Sequence, residues 1–142
     1  MNNLMLGQAF KFYEIQPESM RNSIAKSFSD LYSETHEVGK RISPRRLRLA
    51  YDHIKDFRNI CAHDERLFCA RVSPSCDVNL VGVLSDLELV LTEDDYKMLR
   101  RNILLDALKL SDELSNDASA RVLFAMGVNE LSSVFPKEIL GL

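Results

Sequence analysis

The sequence predicts an all-α domain, and three observations carry that prediction. Apolar residues recur at helical spacing along most of the chain. Gly and Pro number only 5 and 4 in 142 residues, which leaves little room for long irregular stretches. Pro17 and Pro44 stand where periodic runs begin, the position in which proline starts a helix rather than breaking it. With 46% apolar and 27% charged residues, the chain has the make-up of a soluble domain with one core. The expected architecture is a bundle of four to five helices forming a single domain over residues 1–142.

The elements follow in order. In "NLMLGQAFKFYEI", Leu4, Leu6, Ala9, Phe10 and Tyr13 fall at helical intervals. Pro17 and Glu18 open a second helix, with Met20, Ile24, Ala25, Phe28 and Leu31 as its apolar face. "SETHEVGKRIS" is polar, contains Gly39 and reads as a loop or a frayed helix end. Ser43-Pro44 is an N-cap followed by proline at the first helical position. From there the pattern predicts one long helix through "PRRLRLAYDHIKDFRNICAHDERLF", closed by Pro74 and "VSPSCDVN". "LVGVLSDLELVL" has some β character, and Ser85-Asp86 reads as the start of a short helix. Thr92 and Asp95 form a capping-box-like start for the next helix, with Met98, Ile103, Leu104, Ala107, Leu108 and Leu110 as its stripe. "ASARVLFAMGV" is the last, short helix before a tail broken by Pro136.

Charge and cysteine usage narrow the function classes. The net charge of −3 argues against a protein that coats nucleic acid nonspecifically. Its distribution is uneven: residues 1–72 sum to +3, residues 73–142 to −6, and residues 38–72 hold 9 basic against 4 acidic side chains. Positive potential is therefore local, and a solvated basic helix face is its plainest explanation. Cys61, Cys69 and Cys76 are odd in number, without CxxC spacing, and the N-terminus does not read as a signal peptide. No apolar run approaches a membrane span. The expectation is a reducing, cytoplasmic setting with free thiols and no membrane partner.

The central helix sorts its residues cleanly. At about 100° per residue, Arg58, Ala62, Lys55, Arg66, Asn59, Asp52, His63 and Asp56 share one polar arc. Leu47, Ala50, Ile54, Phe57, Ile60, Cys61 and Phe68 share the opposite face, where Cys61 reads as a small buried hydrophobe. His53 sits at the core boundary and reads as packed, and His36 falls in the polar loop. Ala62, small and set between Arg58 and Arg66, would allow close approach of a helix or a substrate.

That polar set suits phosphate chemistry. An arginine can fork onto a phosphodiester, and a histidine can donate or take a proton near neutral pH. RNA brings its own nucleophile, the 2′-OH, so its cleavage needs only positioning, charge stabilisation and a proton shuttle. No metal or other cofactor is expected, because His63, Cys69 and Cys76 lack a fourth ligand at a usual spacing. No P-loop, G-x-G-x-x-G or G-x-S-x-G motif occurs. The carboxylates Asp94 and Asp95 are explained by a helix N-terminus.

Arg58-Asn59-x-x-Ala62-His63-x-x-Arg66-Leu67, followed by Phe68 and Arg71, resembles the signature of the Abi-like (abortive infection) proteins of the HEPN superfamily. Weaker echoes are "LMLGQAFKFYE" and "AMGVNE". Asp64, Phe68 and Cys69 depart from the family pattern. The resemblance implies a HEPN-like bundle that pairs with a second copy, so that two motif-bearing helices face each other across a shared cleft. It implies a metal-independent endoribonuclease acting on RNA, in phage defence or as a toxin, with an antitoxin or regulatory protein as a further partner. Relatives are commonly longer at the N-terminal side, so the domain would correspond to the C-terminal part of a longer architecture. On this sequence Arg58 would hold the scissile phosphate, His63 would act as general acid or base, and Asn59 would orient their neighbours. Arg66, Arg71 and Lys55 are added as RNA or phosphate contacts on charge and helix position. The alternative is a noncatalytic dimerisation or regulatory module in which Arg58 pairs with Asp52 or Asp56, its own or a partner's.

Overall fold

The computed structural model of the chain describes residues 6–63, 66–75 and 77–127. Among these residues the protein is all-α, with six helices and no strand beyond one isolated bridge. The helices are α1 (Leu6–Glu14), α2 (Glu18–Thr35), α3 (Pro44–Ala62), α4 (Leu80–Leu87), α5 (Glu93–Glu113) and α6 (Asn116–Met126). A 3-10 turn at Leu67–Cys69 follows α3. The all-α bundle expected from the sequence is thus realised among the described residues, with six helices where four to five were expected. No helix among the described residues is long and apolar enough to cross a membrane.

The predicted starts are realised by the chemistry that suggested them. Ser43 caps α3, its hydroxyl accepting from the Arg46 amide at 3.2 Å, with Pro44 next in line. Thr92 and Asp95 reciprocate at the head of α5, where the Asp95 amide donates to the threonine hydroxyl and that hydroxyl donates to the carboxylate. The short helix α4 begins earlier than Ser85-Asp86 suggested. Asn79 is its cap, accepting from the Gly82 amide at 2.9 Å, which leaves Asp86 deep inside the last turn.

Helix α3 is the axis of the molecule and packs against α1, α2 and α4. Its N-terminal half enters a core with Tyr13 of α1, Ala25 and Tyr32 of α2, Ile42 and Leu89, where Leu47 and Ala50 are fully buried. Its C-terminal half enters a second core, Phe57 with Val72 and Val83. On α2, Ile24, Ala25 and Phe28 of the expected face pack into the first core together with Tyr32, whereas Met20 and Leu31 are exposed. Small residues bring α2 close to the approach to α3, and the Ser29 hydroxyl accepts from the Ile42 amide at 2.8 Å. On α5, Met98 is likewise exposed, while the side chains of Ala107, Leu108 and Leu110 lie outside the described set. Expected helical residues Leu4 and Val128, and the motif neighbour Asp64, also lie outside it.

Beyond α3 the chain turns back. Leu67 and Ala70 pack against the Phe57 core. Val72 and Val78 then exchange backbone hydrogen bonds of 2.9 and 3.2 Å around a turn in which Ser73 takes a φ of 84°. Helix α6 rests on this segment and on α5, and closes with Gly127 at a φ of 94°. A Cβ at Gly127 would be strained at that φ and would run into the Asn79 amide and Val81. Gly127→Ala is therefore expected to cost about 2 kcal/mol, part backbone strain and part a disturbed α4 cap, seen as a lower urea midpoint at unchanged slope.

Candidate active site

Two constraints fix how α3 is turned about its axis. One is apolar: Leu47, Ala50 and Phe57 are buried along one face. The other is polar. His53, 9% exposed, places its Nδ1 2.7 Å from a carboxylate oxygen of Asp86, itself 2% exposed. The other Asp86 oxygen pairs with the Arg46 guanidinium from the first turn of α3. A buried carboxylate persists only with such partners. Together they turn the opposite arc of α3, from Asp52 to Ala62, toward solvent. His53 is packed, as its place on the helix suggested. Its partner was not legible, because nothing in the sequence links it to a carboxylate 33 residues away.

On the outward arc, Lys55 lies between two carboxylates, 2.6 Å from Asp52 and 3.4 Å from Asp56. Its ammonium also sits 4.9 Å above the Phe10 ring. The hydrogen bond it donates to Asp52 raises its pKa above the ordinary lysine value, against a smaller opposing effect of burial, and Asp56 adds to the rise. Both carboxylates are thus occupied. Within the chain, Arg58 pairs with neither, contrary to the intrachain form of the noncatalytic alternative. Among the described residues, its guanidinium reaches the Asn59 side-chain oxygen, at 3.5 Å.

Lys55, Arg58 and Asn59 line one wall of a groove of about 420 Å3 between α1 and α3. Phe10, Lys11 and Glu14 of α1 contribute the other wall. The α1 contribution was invisible to the sequence, since it depends on how α1 docks.

Helix α3 ends sooner than the periodicity implied, at Ala62. His63 is its C-cap: the backbone N–H is shared between the carbonyls of Asn59 and Ile60, at 3.1 and 3.2 Å, and the side chain is exposed. His63 stands four residues after Asn59, so the two flank the last turn of one helix. The early end changes three expectations. Arg66 lies past the helix, exposed at the entry to the 3-10 turn, so its place on the α3 arc does not apply. Cys61, in the last turn of α3, is exposed rather than buried, although it lies on the core stripe. Arg71 is carried to the other end of the second core. Its Nη1 donates to the Ala70 carbonyl at 3.0 Å and to the Ala125 carbonyl at 2.9 Å, where a cation suits the C-terminal end of α6. Of the six residues singled out, Lys55, Arg58 and Asn59 share the groove, while His63, Arg66 and Arg71 are not among its walls.

His36 is not in a free loop. It caps α2 and stacks on Tyr32 at 3.8 Å between ring centres. Cys61 and Cys69 are free thiols, and among the described residues no His, Cys, Asp and Glu group could hold a metal ion.

The family model described as Abi-like protein matches residues 1–69, a little under half of the chain. The match takes in α1, α2, α3 and the 3-10 turn, hence both walls of the groove together with His63 and Arg66, and stops short of Arg71. No curated protein and no solved structure matches the chain.

Proposed function

We propose that this protein is a metal-independent endoribonuclease of the HEPN type, acting in the cytoplasm in phage defence or as a toxin. The observation that carries the reading is the state of Arg58. It stands exposed beside a groove, next to Asn59 and five residues before the exposed His63, while Lys55 bridges Asp52 and Asp56 on the same arc. A guanidinium placed so is available to a phosphodiester. The Abi-like match over the same residues supports a role connected with abortive infection.

The chemistry draws its groups from the RNA and from two copies of the chain. The RNA 2′-OH attacks the adjacent phosphorus, and His63 as general base takes its proton. Arg58 meets the negative charge that grows on the phosphoryl oxygens, and Asn59 holds the guanidinium in line. The P–O5′ bond breaks, and the leaving oxygen gains a proton from a general acid. A second copy of the chain, set with its α3 end against the first, supplies that acid as a second His63. The products are a 2′,3′-cyclic phosphate and a 5′-hydroxyl. An antitoxin or regulatory protein covering this end of α3 would silence the enzyme.

The test is incubation of a mixed-sequence single-stranded RNA with the protein in EDTA, beside the all-deoxy strand of the same sequence. Cleavage of the RNA alone is expected, since only it carries the nucleophile. Cleavage of both strands, or of neither, would overturn the reading.

A further inference from the structure

Each wall of the α1–α3 groove keeps one cation once existing ion pairs are set aside. Glu14, a carboxylate on its α1 wall, is held by the Arg48 guanidinium at 3.0 Å. Lys55 is spent on Asp52 and Asp56. Two cations are left without a carboxylate partner among the described residues: Lys11 on one wall and Arg58 on the other. Facing cations repel unless an anion lies between them. The groove volume falls within the roughly 300–1,000 Å3 of small-molecule sites, room for a nucleotide rather than a bare ion.

The sequence also keeps this space open. Gly7 lies in the first turn of α1 and lines the groove, and a Cβ built on it meets nothing within 4 Å. No close approach and no positive φ demands glycine there, although glycine costs a helix roughly 1 kcal/mol relative to alanine. Keeping the wall low beside Lys11 is a use for it.

We infer that the α1–α3 groove is a nucleotide subsite, in which Lys11 and Arg58 straddle a backbone phosphate of a single-stranded RNA next to the scissile bond. This rests on the ribonuclease reading for its ligand, and adds to it a binding residue on α1 that lies outside the Arg58–His63 motif. Arg58 then acts on two neighbouring phosphates, and Lys11 sets where the strand enters. The Asn59 amide, beside Arg58 on the same wall, offers a donor and an acceptor to a base edge. An acidic peptide is the competing occupant, but an arginine fork with a point-charge lysine opposite suits a phosphodiester, whose oxygens accept from both sides.

The test separates this subsite from cleavage itself. A fluorescent all-deoxy single strand, which lacks the nucleophile, is titrated by anisotropy against the protein and its variants. Lys11→Glu is expected to weaken binding about tenfold and to lower the salt slope by about one, whereas Lys26→Glu, the same charge change on the far side of α2, leaves both unchanged. Gly7→Phe, whose Cβ meets nothing within 4 Å and whose ring would occupy the groove, is expected to weaken binding as well. Circular dichroism confirms that each variant is folded. Weakened binding by Lys11→Glu and Gly7→Phe, in a protein that cuts no RNA, would uphold the subsite and sink the ribonuclease reading. RNA cleavage with binding untouched by either substitution would do the reverse. No binding of the strand, or its displacement by a poly-glutamate peptide at equal concentration, would overturn the nucleotide assignment.

Discussion

Alanine at His63 is expected to slow RNA cleavage by about 10²–10⁴-fold while leaving thermal unfolding unchanged. The two halves of that expectation come from different parts of the residue. The fold uses the backbone amide of His63, which closes α3 on the carbonyls of Asn59 and Ile60, and alanine keeps that amide. The imidazole is exposed, and no contact to it is needed to hold the helix. Loss of activity without loss of stability would therefore assign the ring a chemical role. Glutamine at the same position would restore a hydrogen-bonding group without the proton exchange, and should remain as slow as alanine. Cleavage is followed by gel with a labelled RNA, unfolding by circular dichroism.

The largest stability effect is expected at Asp86. Its carboxylate sits at the junction of α3 and α4 and holds both His53 and Arg46. Asp86→Ala removes two charge-assisted bonds at once and leaves the His53 ring buried without its carboxylate partner. Breaking a buried pair from one side costs about 3–5 kcal/mol. Arg46 is 40% exposed along its side chain and can turn to water, so the lower end, about 3 kcal/mol, is expected. That is a large share of the roughly 5–15 kcal/mol of a domain this size, and it would appear as a sharply lower urea midpoint. His53→Phe, of similar bulk, should be milder than Asp86→Ala, because Asp86 keeps Arg46.

How far the sequence revealed this molecule depends on the range of the interactions involved. Signals carried by neighbouring residues were legible: Ser43-Pro44 and Thr92–Asp95 start the helices they point to. Within α3 the helical arc was also a sound guide, since the shared face of Lys55, Arg58 and Asn59 depends only on the turn of one helix. The end of α3 was not legible. No glycine or proline marks Ala62, and the helix stops there as Leu67, Ala70 and Val72 fold back onto Phe57, a tertiary gain that outweighs local propensity. Every expectation that extended the wheel past that point moved with it, Arg66 and Arg71 among them. The α2 face departs from its pattern for a related reason. Ile24, Ala25 and Phe28 pack as expected, but Met20 and Leu31 at the two ends of the stripe are left exposed, while Ser29 lets the chain before α3 come close. The buried His53–Asp86 bond and the α1 wall of the groove depend on pairs of elements meeting, which periodicity does not encode.

The most direct measurement is the chemical form of the ends that the wild-type protein leaves on RNA in EDTA, read by mass spectrometry. Attack by the 2′-OH, with Arg58 on the phosphate and His63 moving the proton, predicts a 2′,3′-cyclic phosphate on one fragment and a 5′-hydroxyl on the other. A 3′-hydroxyl with a 5′-phosphate would mean that water was the nucleophile, and would contradict the mechanism proposed for this site.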